Sequence, residues 1–191
     1  IRTKPSKRAW VIVLTASMFF FYEFIQMNMM DAISTELLQS FHINADQLGD
    51  MSSYYFIANV IFLFLAGSLL DRCSTRRVIL VSLGICVLGT ALFGMATSYF
   101  WVTFCRFLTG IGSAFCFLSV LRLATRWFPP RQMAYVTGLV VTIAMTGGVV
   151  AQTPFEALVR EIGWRHTLLV DAAFGLFVWF RRLACLVRVC V

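Results

Sequence analysis

The chain carries the sequence Gly67-Ser-Leu-Leu-Asp71-Arg72-Cys-Ser-Thr-Arg76-Arg77, in which one acid and three arginines stand close together. No charged residue occurs in residues 51–70 before the acid, or in residues 78–105 after the last arginine. A run of about 20 apolar residues is long enough to cross the hydrocarbon core of a membrane as a helix. The stretch is therefore predicted to be the short polar loop of a transmembrane hairpin.

This loop closely resembles the signature of the major facilitator superfamily, Gly-x-Leu-x-Asp-Arg-x-Gly-Arg-Lys, which joins the second and third helices of those transporters. It departs from the pattern where Ser74 stands in place of the second glycine and Thr75 in place of a basic residue. The resemblance implies an action at the cytoplasmic gate between two six-helix halves. The residues concerned are Gly67, Asp71, Arg72, Arg76 and Arg77.

Composition excludes a soluble globular protein, because 60% of the residues are apolar, only 13% are charged, and the mean hydropathy is +0.82. The net charge of +7 does not indicate nucleic-acid binding, since the basic residues are spaced between apolar runs and are not clustered on one face. The six cysteines show no Cys-x-x-Cys spacing. We therefore predict no disulfide framework, metal site or cofactor.

Six transmembrane helices are predicted, at residues 9–30, 48–70, 78–97, 101–125, 133–153 and 164–180. Asn44 and Gln47 have the spacing of a capping box before the second helix. The fold class is an all-α polytopic membrane protein, with two inverted three-helix units forming one domain at residues 1–182. Residues 183–191 resemble neither a family linker nor a seventh span, so we expect an atypical tail, shifted in frame or truncated.

Loop charges predict the orientation, because lysine and arginine are retained on the cytoplasmic side. One side of the predicted bundle collects twelve basic residues and the other only Arg160 and Arg165, each with an acid four residues earlier, as in a short surface helix. We predict a multi-pass protein of the cell (inner) membrane with both termini in the cytoplasm. The twelve are Arg2, Lys4, Lys7, Arg8, Arg72, Arg76, Arg77, Arg126, Arg131, Arg181, Arg182 and Arg188.

The fourth predicted helix contains Arg106 followed by Gly110 and Gly112, which is similar to the superfamily's helix 4 motif. An arginine inside a membrane costs at least about 2.5 kcal/mol, so it needs a carboxylate, a cavity or the headgroup region. Snorkelling to the headgroups is the alternative to a functional role. Its predicted partner is Glu23 at equal depth on the first helix. The resemblance implies that the two residues can meet in the central cavity.

Three more polar residues are predicted inside the membrane. Gln26 shares a helix face with Glu23, and either assists the acid or ties two helices together. Asp171 is either a second proton site or an acid that reaches water, and Asn59 is predicted to join two helices.

The resemblance runs over residues 48–165 and includes Arg126-Trp-Phe-Pro-Pro-Arg131 and Gly163-Trp164-Arg165. One family motif is missing. Drug–proton antiporters carry Gly-x-x-x-Gly-Pro-x-x-Gly-Gly on helix 5, of which only Gly147 and Gly148 remain. This absence favours uptake by symport over drug efflux. The small residues of that helix are predicted to serve close packing.

An enzyme is the less favoured interpretation. Six-helix intramembrane serine proteases place a serine on helix 4 and a histidine on helix 6, where this chain has Ser113 and His166. The two lie at different depths, and a nucleophile and its base need hydrogen-bond reach.

We therefore interpret the chain as resembling the amino-terminal half of a transporter that moves a small solute by proton-coupled symport and alternating access. The expected partners are membrane lipid, a small-molecule substrate, and either a missing carboxyl-terminal six-helix half or a second copy. An inactive truncated fragment and a half-size carrier working as a homodimer are the alternatives.

Overall fold

The structure, a computed structural model, describes the backbone of residues 7–189 and the side chains of residues 8–181. Over that backbone the chain is helical and contains no strand, which confirms the all-α fold class. The predicted cytoplasmic side chains of Arg2, Lys4, Lys7, Arg182 and Arg188 lie outside the described residues. The helices are α1 (Lys7–Phe41), α2 (Ala45–Arg72), α3 (Thr75–Met95), α4 (Tyr99–Ala114), α5 (Cys116–Trp127), α6 (Met133–Gln152), α7 (Pro154–Ile162) and α8 (Trp164–Val189), with a 3-10 turn at Pro130–Gln132.

The six predicted spans correspond to α1, α2, α3, α4 with α5, α6 and α8, and they pack in a pattern that fits two inverted three-helix units. Helix α1 packs along α6 as α2 packs along α4, and α3 packs along α8. Exchanging the first three spans with the last three leaves these three pairings unchanged, although α3 also packs closely along α4 and the corresponding contact of α8 with α1 is much smaller. The fourth span is formed by α4 and α5. It begins beside the start of α2, since the Tyr99 hydroxyl donates to the Gln47 carbonyl oxygen. Helix α1 ends just before this point. The fourth span therefore runs opposite to the first.

Helix α1 is longer than predicted and ends at Phe41, so its 35 residues extend for about 52 Å. In its last turns, Ile33 and Leu37 are fully buried. They belong to one hydrophobic cluster with Phe155 of α7 and Trp164 of α8. The Trp164 indole also donates to the Ser40 hydroxyl at 3.1 Å. The predicted end near residue 30 is wrong because this packing stabilises a helix that extends beyond the charge-free run.

Helix α8 continues to Val189, so the predicted end at residue 180 is also wrong. Residues 176–189 contain neither glycine nor proline, and arginine is a good helix former, so Arg181 does not interrupt the helix. The predicted short surface helix is confirmed as α7, with an ion pair of 2.6 Å between Arg160 and Glu156. Arg165 lies on the ring of Trp164, and forms no ion pair with Glu161 among the described side chains.

The fourth span is interrupted at Phe115, where α4 stops and α5 begins one residue later. Just before the break, the Ser113 hydroxyl donates to the Gly110 carbonyl oxygen at 3.0 Å. Serine side chains that bond back to the helix, together with nearby glycines, are common causes of such breaks. The span therefore consists of two helical segments.

Two glycines let helices approach until their backbones touch. A Cβ built at Gly110 of α4 would lie 2.9 Å from the Cβ of Ala58 and 3.1 Å from the carbonyl carbon of Tyr55 on α2. A Cβ built at Gly147 of α6 would overlap the carbonyl oxygen of Phe21 on α1. The predicted packing role is thus confirmed for Gly147.

Candidate functional site

Two acids and one arginine are buried in the middle of the bundle: Glu23 on α1 is 7% exposed, Arg106 on α4 is 1% exposed, and Asp171 on α8 is 6% exposed. Gln26, one turn after Glu23, is fully buried between them. Snorkelling does not describe Arg106, because its side chain is enclosed by protein. Asp171 is also buried, and its two alternative roles stay predictions. The sequence-predicted residues of this site therefore come together.

Tyr55 of α2 lies between Glu23 and Arg106. Its hydroxyl donates to Glu23 Oε1 at 2.9 Å, and the guanidinium carbon of Arg106 lies 4.6 Å from the centre of its ring. No ion pair joins Glu23 to Arg106 among the described side chains. The predicted direct pair is therefore wrong in this conformation, because a buried phenol occupies the space between the two charges.

Arg106 has few partners for a buried cation. Its Nη1 donates to the backbone carbonyl oxygen of Gln26 at 3.0 Å, and its Nε has no hydrogen-bond acceptor among the described residues. The face of Tyr55 supplies a cation–π contact, which is stronger when the cation is desolvated. The guanidinium is thus held by a carbonyl and an aromatic ring, without a carboxylate.

Gln26 joins three helices through its side chain. Its amide nitrogen donates to Asp171 Oδ2, and its amide oxygen accepts from the Thr90 hydroxyl of α3 at 2.9 Å. Tyr22 in turn donates to Thr90 at 3.4 Å. Of the two predicted roles for Gln26, the structure supports the link between helices. Since its backbone also accepts from Arg106, Gln26 links Asp171 to the arginine, and Tyr55 links the arginine to Glu23.

The position of this network follows from local sequence. Gly110 and Gly112 let α4 approach the backbones of α2 and α3, which places Arg106 one turn earlier against α1 and Tyr55. Asn59 of α2 donates to the Ser113 hydroxyl of α4 at 2.6 Å, as predicted for a residue that joins helices. The helix 4 motif thus positions the arginine by close packing.

At the end of the bundle where α1 begins, Asp71 forms an ion pair of 2.7 Å with Arg122 of α5. The resemblance implied that this acid acts at the gate between two six-helix halves, and in this structure it pairs with a residue of its own half. Arg72 and Arg77 are exposed, and Arg76 is half-buried. The side chain of Asp71 is 77% exposed, so the pair contributes little stability.

The enzyme interpretation finds no geometric support. Ser113 is buried between Asn59 and Gly110, whereas His166 is exposed and its Nδ1 contacts the Ile162 carbonyl oxygen. Among the side chains that the structure describes, no three His, Cys, Asp or Glu residues are placed to hold a metal ion.

Sequence reasoning missed Tyr55, Thr90 and Arg122. Tyr55 and Thr90 lie in charge-free runs, where a phenol or a hydroxyl is indistinguishable from a lipid-facing or packing residue. A usable signal existed for Arg122, since its spacing from Arg126 places both on one helix face.

Known proteins resemble this chain over nearly its whole length. A family model described as the Major Facilitator Superfamily matches residues 12–189. YybO, an uncharacterized transporter of Bacillus subtilis (strain 168), is 25% identical over 180 residues, which are 92% of this chain and 41% of YybO. The drug efflux pump JefA of Mycobacterium tuberculosis (strain ATCC 25618 / H37Rv) is 25% identical over 173 residues, 90% of this chain and 34% of JefA.

A solved structure shares the fold. A bacterial homolog of the human lysosomal transporter Spinster, in an inward-facing and unoccupied conformation, matches with a TM-score of 0.80 at 19% identity, over 95% of this chain and 44% of its own. The chain therefore spans less than half the length of these three relatives.

Proposed function

The chain belongs to the major facilitator superfamily, and from that premise we propose that it is half of a transporter that carries a small solute by proton-coupled symport and alternating access. The observation that carries the proposal is the buried network that joins Glu23, Arg106, Gln26 and Asp171 across four spans. Ionisable residues inside a membrane mark proton or substrate pathways. Glu23 and Asp171 are the proposed proton carriers. Arg106 is the proposed cation that responds to their change of charge, and Gln26 is the proposed link within the network.

The proposed partner is a carboxyl-terminal six-helix half, and a second copy of this chain is the alternative. Helices α2 and α6 expose the apolar side chains that such a partner covers, among them Phe64 at 82% and Met145 at 59%. Five spans are long and apolar enough to cross a membrane. The share of buried residues is far smaller in the two spans formed by α2 and α6 than in the other three. At the gate, that partner would face Asp71, Arg72, Arg76, Arg77 and Arg122. Lipid would cover the remaining surface.

Drug efflux is the second candidate, because JefA is an efflux pump. Against it stand Ile143 and Ala144 at the positions of the Gly-Pro pair that drug–proton antiporters carry. Symport is therefore the function that we propose first.

Proton coupling requires that a buried carboxyl take up and release a proton. We expect infrared spectra of the purified chain in lipid nanodiscs to show a protonated-carboxyl band that declines as the pH rises. Glu23→Gln and Asp171→Asn should each remove part of it. The matched control Glu161→Gln changes an exposed acid and should leave the band intact. A band that is absent, or insensitive to pH and to both substitutions, would contradict proton coupling.

The proposed location is the cell inner membrane with both termini in the cytoplasm, and Cys73 offers a test because it is exposed in the arginine-rich loop. In a variant with Cys185 and Cys190 replaced by serine, we expect an impermeant maleimide to label Cys73 only after permeabilisation, since Cys86, Cys105 and Cys116 are buried. As a control, Gln39→Cys at the far end of α1, in a chain that also carries Cys73→Ser, should react in intact cells. Labelling of Cys73 in intact cells would reverse the orientation.

A further inference from the structure

Tyr55 is the one side chain that contacts both Glu23 and Arg106 among the described contacts at this site. It is 1% exposed, and its own position is fixed because its backbone abuts Gly110. The hydroxyl and the ring face perform different tasks: the hydroxyl holds a carboxyl, and the ring holds a guanidinium. One aromatic side chain thus separates two groups that would otherwise attract each other.

Arg106 reaches the turn of α1 that carries Glu23. Arg106 already donates to the carbonyl oxygen of Gln26, which is three residues, or about 4.5 Å along the axis, from Glu23 on the same helix. Its Nε has no acceptor among the described residues, and a buried cation without a counter-ion carries a large desolvation cost. A rotation of the Glu23 side chain away from Tyr55 would supply the missing carboxylate.

We propose that Tyr55 is a positioning residue that holds Glu23 and Arg106 apart, and that the two form a direct ion pair when the phenol releases the carboxyl. This inference rests on the proposed function, because it assigns the step that makes the buried charges respond to a proton. A protonated Glu23 stays on the hydroxyl, and an ionised Glu23 is drawn to the guanidinium. The phenol therefore determines when the ion pair between Glu23 and Arg106 forms.

Other ionisable groups near Glu23 are few. Tyr55 of α2 donates to it, Arg106 of α4 lies over the ring of Tyr55, and the Cys86 thiol of α3 lies near it. Asp171 of α8 is connected only through Gln26, and Arg122 of α5 is engaged with Asp71. Helix α6 buries only valine, alanine and glycine against α1. The response of Glu23 to removal of the hydroxyl therefore reports mainly on Arg106.

The test is Tyr55→Phe, which keeps the ring and removes only the hydroxyl. In nanodiscs, at the pH where half of the Glu23 infrared band remains in the unmodified chain, we expect the ratio of protonated to ionised Glu23 to fall about tenfold, because an opposite charge favours the ionised form. Adding Arg106→Gln to this variant should restore the band. If Tyr55 only donated a hydrogen bond to the carboxylate, its removal would strengthen the band.

The matched control is Tyr54→Phe, which removes the hydroxyl of the neighbouring, 44% exposed tyrosine and should leave the band unchanged. An unchanged or stronger band in Tyr55→Phe would overturn the inference while leaving proton coupling intact. The absence of any Glu23 band in the unmodified chain would instead refute the proposed function. If Tyr55→Phe does not fold, Arg106→Gln alone gives the answer. It should raise the ratio of protonated to ionised Glu23 about tenfold, because the ionised carboxylate loses the guanidinium to which it is drawn, and an unchanged ratio would overturn the inference.

Discussion

Replacing Gly147 with alanine is expected to destabilise the chain by about 3 kcal/mol, at the upper end of the usual cost of overpacking. The new Cβ would overlap the Phe21 carbonyl oxygen and lie 3.1 Å from its carbonyl carbon. Both are backbone atoms in the middle of α1, so they cannot rotate away as a flexible side chain does. Helices α1 and α6 would have to separate along their contact.

Unfolding of the purified variant in detergent, by heat or by denaturant, measures this effect. The matched control is Gly138→Ala on the same helix, where a Cβ meets no atom within 4 Å. Because alanine is the better helix former by about 0.8–1.0 kcal/mol, this control should be neutral or slightly stabilising. Equal losses at both positions would show that α6 does not pack on α1 through Gly147.

The second large effect is expected from Gln26→Glu, which puts a carboxyl of nearly the same shape beside Asp171. The amide that donates to Asp171 disappears, and two carboxyls share a buried site. We expect a loss of about 3 kcal/mol, at the upper end of the cost of leaving a buried polar group without its partner. The loss should grow with rising pH, because two adjacent carboxylates repel each other once both are ionised.

The double variant Gln26→Glu with Asp171→Asn exchanges the amide and the acid and should recover most of the lost stability. Denaturation of the four proteins at two pH values gives the coupling between the positions. Additive losses in the double variant would mean that residues 26 and 171 do not interact. Loss of stability that is independent of pH would mean that the acids do not ionise together.

Because the chain must cross a membrane, some features of its fold can be predicted from sequence alone. Long charge-free runs indicated the spans, and the cost of burying Arg106 indicated that it must meet other polar groups. Equal depths placed Glu23 and Arg106 in one layer, but depth does not determine how each helix is rotated about its axis. That rotation is set by the contact of Gly110 with α2, and it puts Tyr55 between the charges. The phenol could not be predicted from a run in which tyrosine, phenylalanine and leucine look alike.

Helix ends were predicted less well, for a physical reason. The loss of a charge-free run marks the edge of the hydrocarbon layer, whereas a helix ends only where its backbone loses partners. Ile33 and Leu37 continue to pack beyond that edge, so α1 continues with them. The pair of Asp71 and Arg122 was also missed, because the spacing of Arg122 from Arg126 indicates a shared helix face but not which loop that face approaches.

The unbroken length of α1 beside the interrupted fourth span has a mechanical consequence. From Gln26 to Ser40 the axis of α1 advances about 21 Å without a break, so a small tilt at the polar network becomes a larger sideways displacement at the Trp164 contact, as at the tip of a lever. The fourth span behaves differently, because Phe115 divides the segment that carries Arg106 from the segment that carries Arg122. The first span is therefore one continuous helix, whereas the fourth span can bend at Phe115.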